Sequence, residues 1–560
     1  MLSTMQDVPL TVGRILAHGS TFHGTSTVAT WDGEKAVARS FAEVGARAAQ
    51  LAHALRDELG VTGDQRVATL MWNNTEHQEA YLAIPSMGAV LHTLNLRLPP
   101  QQLAFIINHA ADHAIIANCS VLPLLAPLLP QLDPTLRHIV VVGDGDLAPL
   151  DGFTGGVHRY EELIADRSTV FPHPAETDER AAGALCYTSG TTGDPKGVAY
   201  SHRSMYLHSM QVLSAESFGL TSADKVLPVV PMFHVNAWGI PYAAFMAGTS
   251  LLMPDRFLQP QPLAAMITAE RPTFSAAVPT IWTGLLDELD AHPGAYDTSS
   301  LSRVVIGGSA CPPALMKAFG DRYGINVIHA WGMTETSPLG SVSHPPAGLS
   351  PEETWRYRLT QGRFPASVEP RVIGPDGTAL PHDGKSAGEI EVRGPWIAAA
   401  YYGGDGKEAG VEAPETGEKF SADGWLRTGD VGTISPDGFL TLTDRAKDVI
   451  KSGGEWISSV ELENQLMAHP DVLEAAVVAV PDEKWGERPL ATVVLRSGAG
   501  VGLAELRAFL ADRVAHWQLP ERWSIVESVP KTSVGKFDKK VIRKSYAEGA
   551  LDVTTLRKGE

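Results

Sequence analysis

The chain has 560 residues, too many for one hydrophobic core, and its 44% apolar and 19% charged residues are typical of a globular enzyme rather than a disordered or fibrous protein. Its net charge of −19 argues against a nucleic acid or an anionic membrane as the main partner. Three scattered cysteines exclude a disulfide framework and a cysteine-based zinc site, which favours a reducing, cytoplasmic location. We expect three or four domains or subdomains.

The first 340 residues alternate helical periodicity with buried β-rich runs. Residues 41–59 predict an amphipathic helix and residues 66–72 the buried strand after it, and this alternation continues to 301–308. It predicts an α/β fold of layered, largely parallel sheets in a large N-terminal part. From about 365 to 443, short alternating strands joined by Gly-Pro-Asp turns predict a β-rich subdomain.

The segment 226–254 contains no Asp, Glu, Lys or Arg and is long enough to suggest a membrane span. Three prolines, His234 and Asn236 interrupt it, so we interpret it as a buried core segment or the wall of an apolar pocket. The chain begins MLSTMQDVPLTVGRIL, which lacks the basic and apolar regions of a signal peptide.

The run YTSGTTGDPKGV at 187–198 follows a predicted strand and is rich in Gly, Ser and Thr. Its amide groups, hydroxyls and Lys196 could wrap a phosphate, whereas its composition also suits a flexible surface loop. It is not a Walker A loop, because Lys196 precedes Gly197 and is not followed by a hydroxyl residue.

The last part of the chain returns to helices and strands, which predicts a smaller α+β unit. Residues 444–560 carry 17 Lys and Arg against 18 Asp and Glu, whereas the preceding residues carry 28 against 46. This relative excess of cations would suit closure over an anionic ligand, although an ordinary solvated surface explains the same counts.

Four further segments carry polar chemistry but are individually weak. GGSA at 307–310 could be a simple tight turn, and Thr334 with Glu335 could cap a helix as readily as bind Mg²⁺. Asp430 could accept two ribose hydroxyls or merely belong to a turn, and Lys536 lies in a basic run that could be solvated.

Taken together and in their order along the chain, these segments indicate a function far more specifically than any of them does alone. YTSGTTGDPKG, PMFHVNAW, GGSA, WGMTE, GWLRTGD, DRAKDVIKSGGEWISSVELE and PKTSVGK resemble the motif series of the adenylate-forming enzymes, which include acyl-CoA synthetases, luciferases and adenylation domains. The resemblance covers essentially the whole chain and is nearest to bacterial medium- and long-chain fatty-acyl-CoA synthetases. Trp331 departs from the tyrosine of most relatives, although an indole still offers a stacking face.

The resemblance implies a fatty-acid–CoA ligase that uses ATP, CoA and Mg²⁺. It implies an N-terminal domain over 1–443, a hinge over 444–449 at Lys447, and a mobile C-terminal domain over 450–560. The catalytic residues that it implies are Lys536, Lys451, Thr334 and Glu335, with Thr188 and Glu335 as metal ligands. Nucleotide binding is implied for Thr188, Ser189, Gly190, Thr191, Thr192, Gly193, Lys196, Gly308, Ser309, Ala330, Trp331, Gly332, Asp430, Arg445, Lys447 and Trp456. The acyl site is implied for His234, Val235 and Trp238, with Trp238 gating a tunnel.

Several alternatives remain at this point. Isolated, His234 and Trp238 would be ordinary core residues. An aryl- or other small-carboxylate CoA ligase shares the same motifs, and pocket depth would distinguish it. An adenylation module is disfavoured because only about two dozen residues follow Lys536, and nothing indicates the oxidation step of a luciferase. A catalytically silent binding protein is disfavoured because Glu335, Asp430 and Lys536 are present. The N-terminal arm resembles the segment by which some relatives form dimers, so a homodimer is a further hypothesis.

Overall fold

The computed structural model describes residues 1, 3–173, 177–188, 194–403, 419–452, 455–532 and 535–556, and only the backbone of residues 455 and 456. Three sheets organise this part of the chain. They contain 7, 14 and 6 strands.

The seven-stranded sheet has the order β7-β6-β5-β3-β4-β8-β9, and all neighbours are parallel except β8 and β9. Its strands are β3 Arg66–Leu70, β4 Val90–Thr93, β5 Ala114–Asn118, β6 His138–Val142, β7 Gly156–Arg159, β8 Ala182–Tyr187 and β9 Gly197–Ser201. The helices of this region are α1 Val12–Phe22, α2 Phe41–Asp57, α3 Thr75–Ser86, α4 Pro100–Ala110, α5 Leu122–Leu125, α6 Tyr160–Ile164 and α7 His202–Leu213.

The fourteen-stranded sheet begins with a mainly parallel half. This half contains β1 Thr27–Trp31, β2 Ala36–Ser40, β10 Lys225–Pro228, β11 Ser250–Met253, β12 Phe274–Ala277, β13 Arg303–Ile306 and β14 Asn326–Gly332. It is accompanied by α8 Ile240–Ala247, α9 Pro260–Glu270, α10 Pro279–Ala291, α11 Pro313–Tyr323 and α12 Pro351–Leu359. The predicted alternation of helices and buried strands is confirmed here.

The β-rich region is the antiparallel half of the fourteen-stranded sheet. It is joined to the mainly parallel half by the pairing of β15 with β14. Its strands are β15 Leu339–Val342, β16 Gly362–Arg363, β17 Glu369–Ile373, β18 Ala379–Leu380, β19 Gly388–Arg393, β20 Leu426–Ile434 and β21 Phe439–Arg445. The region therefore starts earlier than residue 365, because hydrogen bonding continues across β14 instead of ending in a separate sheet.

The C-terminal region forms its own sheet, as the α+β prediction requires. Its elements are β22 Ile450–Ser452, β23 Glu455–Ile457, α13 Ser459–Met467, β24 Val472–Asp482, β25 Gly486–Leu495, α14 Leu503–Ala511, β26 Arg522–Ile525, α15 Lys539–Ala547 and β27 Thr554–Thr555. This region has a separate apolar core around Trp523 and Val477. The exact division of the chain into domains and a hinge remains a prediction.

The uncharged segment 226–254 folds as β10, a turn, α8 and β11, and most of its apolar residues lie in one buried apolar core. In the described part of the chain, no helix has the length and apolar character needed to cross a membrane. The interpretation as a core segment is therefore confirmed. Between β10 and α8, Val235, Asn236, Ala237 and Trp238 all have left-handed backbone, with φ from 46° to 58°. Each such residue costs roughly 1–2 kcal/mol, so the surrounding packing imposes this turn.

Candidate functional site

A cavity of about 820 Å³ lies at the carboxyl ends of β12, β13 and β14, where open α/β sheets commonly bind ligands. It extends to the β20–β21 hairpin and to the loop before α15. Its lining includes Thr188, Lys196, His234, Val235, Trp238, Gly308, Ser309, Ala330, Trp331, Gly332, Thr334, Glu335, Asp430, Arg445, Lys447 and Lys536. Residues from all seven motifs therefore meet at one site, although they span about 350 positions of sequence.

The other predicted site residues are placed differently. Lys451 is exposed on β22, and it is not among the residues that line the cavity. Positions 189–193 lie outside the described residues, and for Trp456 only the backbone in β23 is described. Lys451 and Trp456 occupy paired positions on β22 and β23.

The two ends of the predicted phosphate loop are fastened to each other. The Thr188 amide donates to the Lys196 carbonyl at 2.9 Å, and the Lys196 amide donates to Thr188 Oγ1 at 3.0 Å. The Lys196 Nζ lies 4.8 Å from the ring centroid of Tyr401. This closure holds one hydroxyl and one cation at the cavity wall.

Glu335 follows β14 in a single 3-10 turn and is only 5% exposed. Its Oε1 accepts a hydrogen bond of 2.6 Å from the Tyr401 hydroxyl, and the Ala398 amide donates to its backbone carbonyl at 2.8 Å. The Thr334 carbonyl accepts from the Tyr200 hydroxyl at 2.7 Å. The turn is thus fixed from two sides, by residues that follow β19 and by β9 of the seven-stranded sheet.

These groups fit Mg²⁺ better than a transition metal. Among the described residues, no group of three or more His, Cys, Asp or Glu could hold a metal ion. Mg²⁺ is usually bound by one or two protein oxygens together with substrate phosphates and water. The Glu335 carboxylate, with one oxygen anchored by Tyr401, and the Thr188 hydroxyl supply that kind of donor set.

Asp430 and Arg445 occupy paired positions of β20 and β21. Arg445 Nε lies 3.0 Å from Asp430 Oδ1, and the Trp331 Nε1 donates to Asp430 Oδ2 at 2.7 Å. Asp430 raises the pKa of Arg445. A carboxylate held from two sides inside a cavity is well placed to accept hydroxyl groups from a ligand.

Lys536 lies in the loop before α15 and reaches the cavity beside Gly308. A Cβ added to Gly308, whose φ is +82°, would lie 3.7 Å from the Lys536 Cε. Burial, followed by repulsion from Arg445, lowers the pKa of Lys536 to about 8, against the attraction of Asp430 and Glu335. A desolvated ammonium group is a strong partner for an anionic ligand.

His234 precedes the left-handed turn, and Trp238 is the last of its four residues. Burial, assisted by the charges of Lys536 and Arg97, lowers the pKa of His234 to about 3, so the imidazole is neutral at physiological pH. Trp238 is 6% exposed, and its Cη2 lies 3.4 Å from the position of a Cβ added to Gly307. It therefore belongs to the core and to the cavity wall at once.

Sequence reasoning missed Tyr401 and His329, which also line the cavity. Tyr401 joins Lys196 to Glu335, as described above. His329 is 2% exposed, and its Nε2 accepts from the Cys311 amide at 3.3 Å. His329 stands two residues before Trp331 on β14, so its strand position was a usable signal. The sequence around Tyr401 offers no comparable signal.

Comparisons with known proteins agree with the motif order. Residues 22–402 match the model of the AMP-binding enzyme family, and residues 461–536 match that of the AMP-binding enzyme C-terminal domain. The chain is 42% identical over 552 residues to a 3-methylmercaptopropionyl-CoA ligase of Ruegeria pomeroyi, covering 98% of this chain and 99% of the relative. It is equally 42% identical over 552 residues to a medium-chain-fatty-acid–CoA ligase of Ectopseudomonas oleovorans, covering 98% of each.

A solved structure supports the fold. An anthranilate CoA ligase, AuaEII, crystallised with anthranoyl-AMP, superposes with a TM-score of 0.84 at 24% identity and covers 98% of this chain and 100% of its own. The predicted fold class is confirmed by this likeness. Because its identity to this chain is low, the likeness says nothing about the acid that the chain uses.

Proposed function

The chain belongs to the AMP-binding enzyme family and is an acid–thiol ligase that forms acyl-CoA, and from that premise we propose that it activates a medium- or long-chain fatty acid with Mg-ATP and transfers it to CoA. One observation carries the proposal for the site. The motif residues meet in one cavity that joins cations, an anchored carboxylate and the aromatic wall of an uncharged core segment.

In the first half-reaction, a carboxylate oxygen of the acid bonds to the α-phosphorus of ATP, and the bond to pyrophosphate breaks. Both reactants are anions, so the attack requires preorganised positive charge. Lys536 supplies it at the α-phosphate, and Lys196 with the loop of Thr188 binds the outer phosphates. The neutral His234 can donate one N–H to the attacking carboxylate without an ionic bond that would hold it in place.

Glu335 and Thr188 would hold Mg²⁺, with Thr334 near the α-phosphate, and the ion would supply positive charge to the phosphate oxygens. Gly308, Ser309 and Ala330 frame the adenine, with Trp331 beside them, and Asp430 accepts the ribose hydroxyls. In the second half-reaction, the CoA sulfur attacks the acyl carbon, its proton is lost to solvent, and the bond to AMP breaks.

The identity of the acid substrate is tested by trapping the acyl-adenylate with hydroxylamine. The assay is run with acetate, 3-methylmercaptopropionate, benzoate and each of the C6–C18 fatty acids. We expect the highest kcat/KM within the C6–C18 series. The alternative is an aryl- or small-carboxylate ligase, favoured by the equal identity to the 3-methylmercaptopropionyl-CoA ligase. Activity restricted to aromatic acids or to 3-methylmercaptopropionate would establish that alternative.

Glu335→Gln should leave the fold intact but raise the Mg²⁺ concentration needed for half-maximal pyrophosphate release by about 10-fold or more. Loss of a residue that only hydrogen-bonds to a metal ligand typically weakens metal binding by about 10–100-fold. Loss of the negative charge of a ligand itself should weaken metal binding by at least that factor. Magnesium titrations of pyrophosphate release measure it. Glu352→Gln, on the exposed face of α12, is the control. Unchanged magnesium dependence in Glu335→Gln would remove this residue from the metal site.

Trp238→Ala should change the ratio of kcat/KM values between long and short acids while leaving the KM for ATP nearly unchanged. It should also lower the melting temperature, because truncating a buried tryptophan costs about 3–5 kcal/mol. Trp282→Ala removes a buried tryptophan that belongs to a different core cluster and does not line the cavity, and it serves as the matched control. If both variants lose stability and neither changes the acid ratio, Trp238 is only a core residue.

A further inference from the structure

The Trp331 indole is held on two sides before any ligand is considered. A Cβ added to Gly340 would lie 2.3 Å from the indole Cε3 and Cζ3, so the missing side chain lets the ring lie against β15. Phe364 meets the ring edge-on, with centroids 6.0 Å apart. The indole also packs in the apolar cluster of the β-rich region. Its orientation is therefore set by packing.

The only polar atom of this side chain points to Asp430. The Nε1–Oδ2 distance is 2.7 Å, and the two residues are 7% and 4% exposed. A hydrogen bond between a donor and a carboxylate at low exposure is stronger than one between neutral groups. With Arg445 Nε at 3.0 Å from Oδ1, both oxygens of Asp430 are fixed.

We propose that Trp331 is a positioning residue that acts through its indole N–H, orienting Asp430 to receive the two vicinal hydroxyls of the nucleotide ribose. Each carboxylate oxygen has two lone pairs, so an oxygen bound to Trp331 or Arg445 can still accept one ribose hydroxyl. This role deepens the nucleotide site and rests on the proposed function.

The role is separable from stacking of the ring on adenine. Stacking uses the ring face and is independent of the sugar hydroxyls, whereas the N–H lies in the ring plane and acts only through Asp430. A ligand without ribose hydroxyls should therefore not respond to loss of the N–H.

The test measures binding of AMP and of 2′,3′-dideoxy-AMP to wild type and Trp331→Phe by isothermal titration calorimetry. A hydrogen bond to a charged group corresponds to about 10–100-fold in affinity, so Trp331→Phe should weaken AMP binding by roughly that factor. The same variant should change dideoxy-AMP binding by less than about threefold, the residual effect of an exchanged aromatic face. The Asp430→Asn and Trp331→Phe changes should also be non-additive in the double variant, because they act on one contact.

Trp396→Phe is the matched control. It lies in the same apolar cluster and likewise loses an indole hydrogen bond, from Nε1 to the Leu339 carbonyl at 2.9 Å, but it does not line the cavity. Equal weakening of AMP and dideoxy-AMP binding by Trp331→Phe would overturn the proposal and leave only ring packing. If Trp331→Phe misfolds, β-(3-benzothienyl)alanine can be incorporated at position 331 instead. This amino acid keeps both fused rings of tryptophan and replaces the N–H by sulfur.

The outcome of this binding test does not depend on which acid the enzyme activates. AMP binding requires no acyl substrate, so failure of the fatty-acid assignment leaves this test intact. Conversely, wild-type protein that binds neither nucleotide, under conditions where it is folded, would contradict the nucleotide site itself rather than the role of Trp331.

Discussion

Replacing Lys536 by alanine is expected to slow acyl-adenylate formation by at least about 10²–10³-fold, the usual effect of removing one preorganised donor from a developing anion. The same variant should still convert supplied acyl-adenylate and CoA to the thioester. The reason is that Lys536 lies beside Gly308 in the cavity, in contrast to Lys451, which is exposed on β22. Assays of each half-reaction separately measure the difference, and Lys544→Ala, on the exposed face of α15, is the control.

The lowered pKa of Lys536 adds a pH dependence. In the proposed mechanism the ammonium is the form that binds the α-phosphate, and it is lost as the pH rises through a pKa of about 8. The kcat/KM for ATP in adenylation reports the free enzyme and should therefore fall above about pH 8. Lys536→Arg does not titrate in this range and should lack that decline. An unaltered high-pH limb in Lys536→Arg would assign the decline to another group.

Replacing Lys447 by proline is expected to stall the enzyme after adenylate formation. Proline fixes φ near −65° and removes a backbone N–H, so a change of backbone conformation at this position is blocked. The contacts on either side explain the choice of residue. The Ala446 amide donates to the Gly429 carbonyl of β20 at 2.9 Å, whereas Asp448 pairs with Arg543 of α15 at 2.7 Å. Lys447 thus lies between a residue held by the β-rich region and one held by the C-terminal region.

A rotation at Lys447 would break identifiable contacts. The Ser459 amide donates to Asp444 Oδ2 at 2.7 Å, and Arg496 pairs with Asp287 at 2.7 Å. We infer that such a rotation withdraws Lys536 and brings the hairpin of Lys451 to the site. Lys447→Ala removes the side chain but retains backbone freedom, so it is the matched control. Equal loss of both half-reactions in folded Lys447→Pro and Lys536→Ala would refute the rotation.

The sequence by itself determined the alternation of helices and strands and the chemistry of each motif. Both are local properties. The 3.6- and 2-residue periodicities mark which faces are buried, and a Gly-rich run with Lys196 has the amides, hydroxyls and charge that suit a phosphate wherever it lies. The order of seven motifs along the chain was also sufficient to identify the family, now supported by matches over 22–402 and 461–536.

Only the tertiary structure decided which of these groups touch. Trp331 meets Asp430 across 99 positions and Tyr401 meets Glu335 across 66, and neither pairing is written in a local pattern. The left-handed backbone of Val235 even opposes the preference of a β-branched residue, because packing around the turn outweighs a local cost of roughly 1–2 kcal/mol. Lys536 and Lys451 are both lysines in motif segments, and only the arrangement of the C-terminal region places one beside Gly308 and leaves the other in solvent.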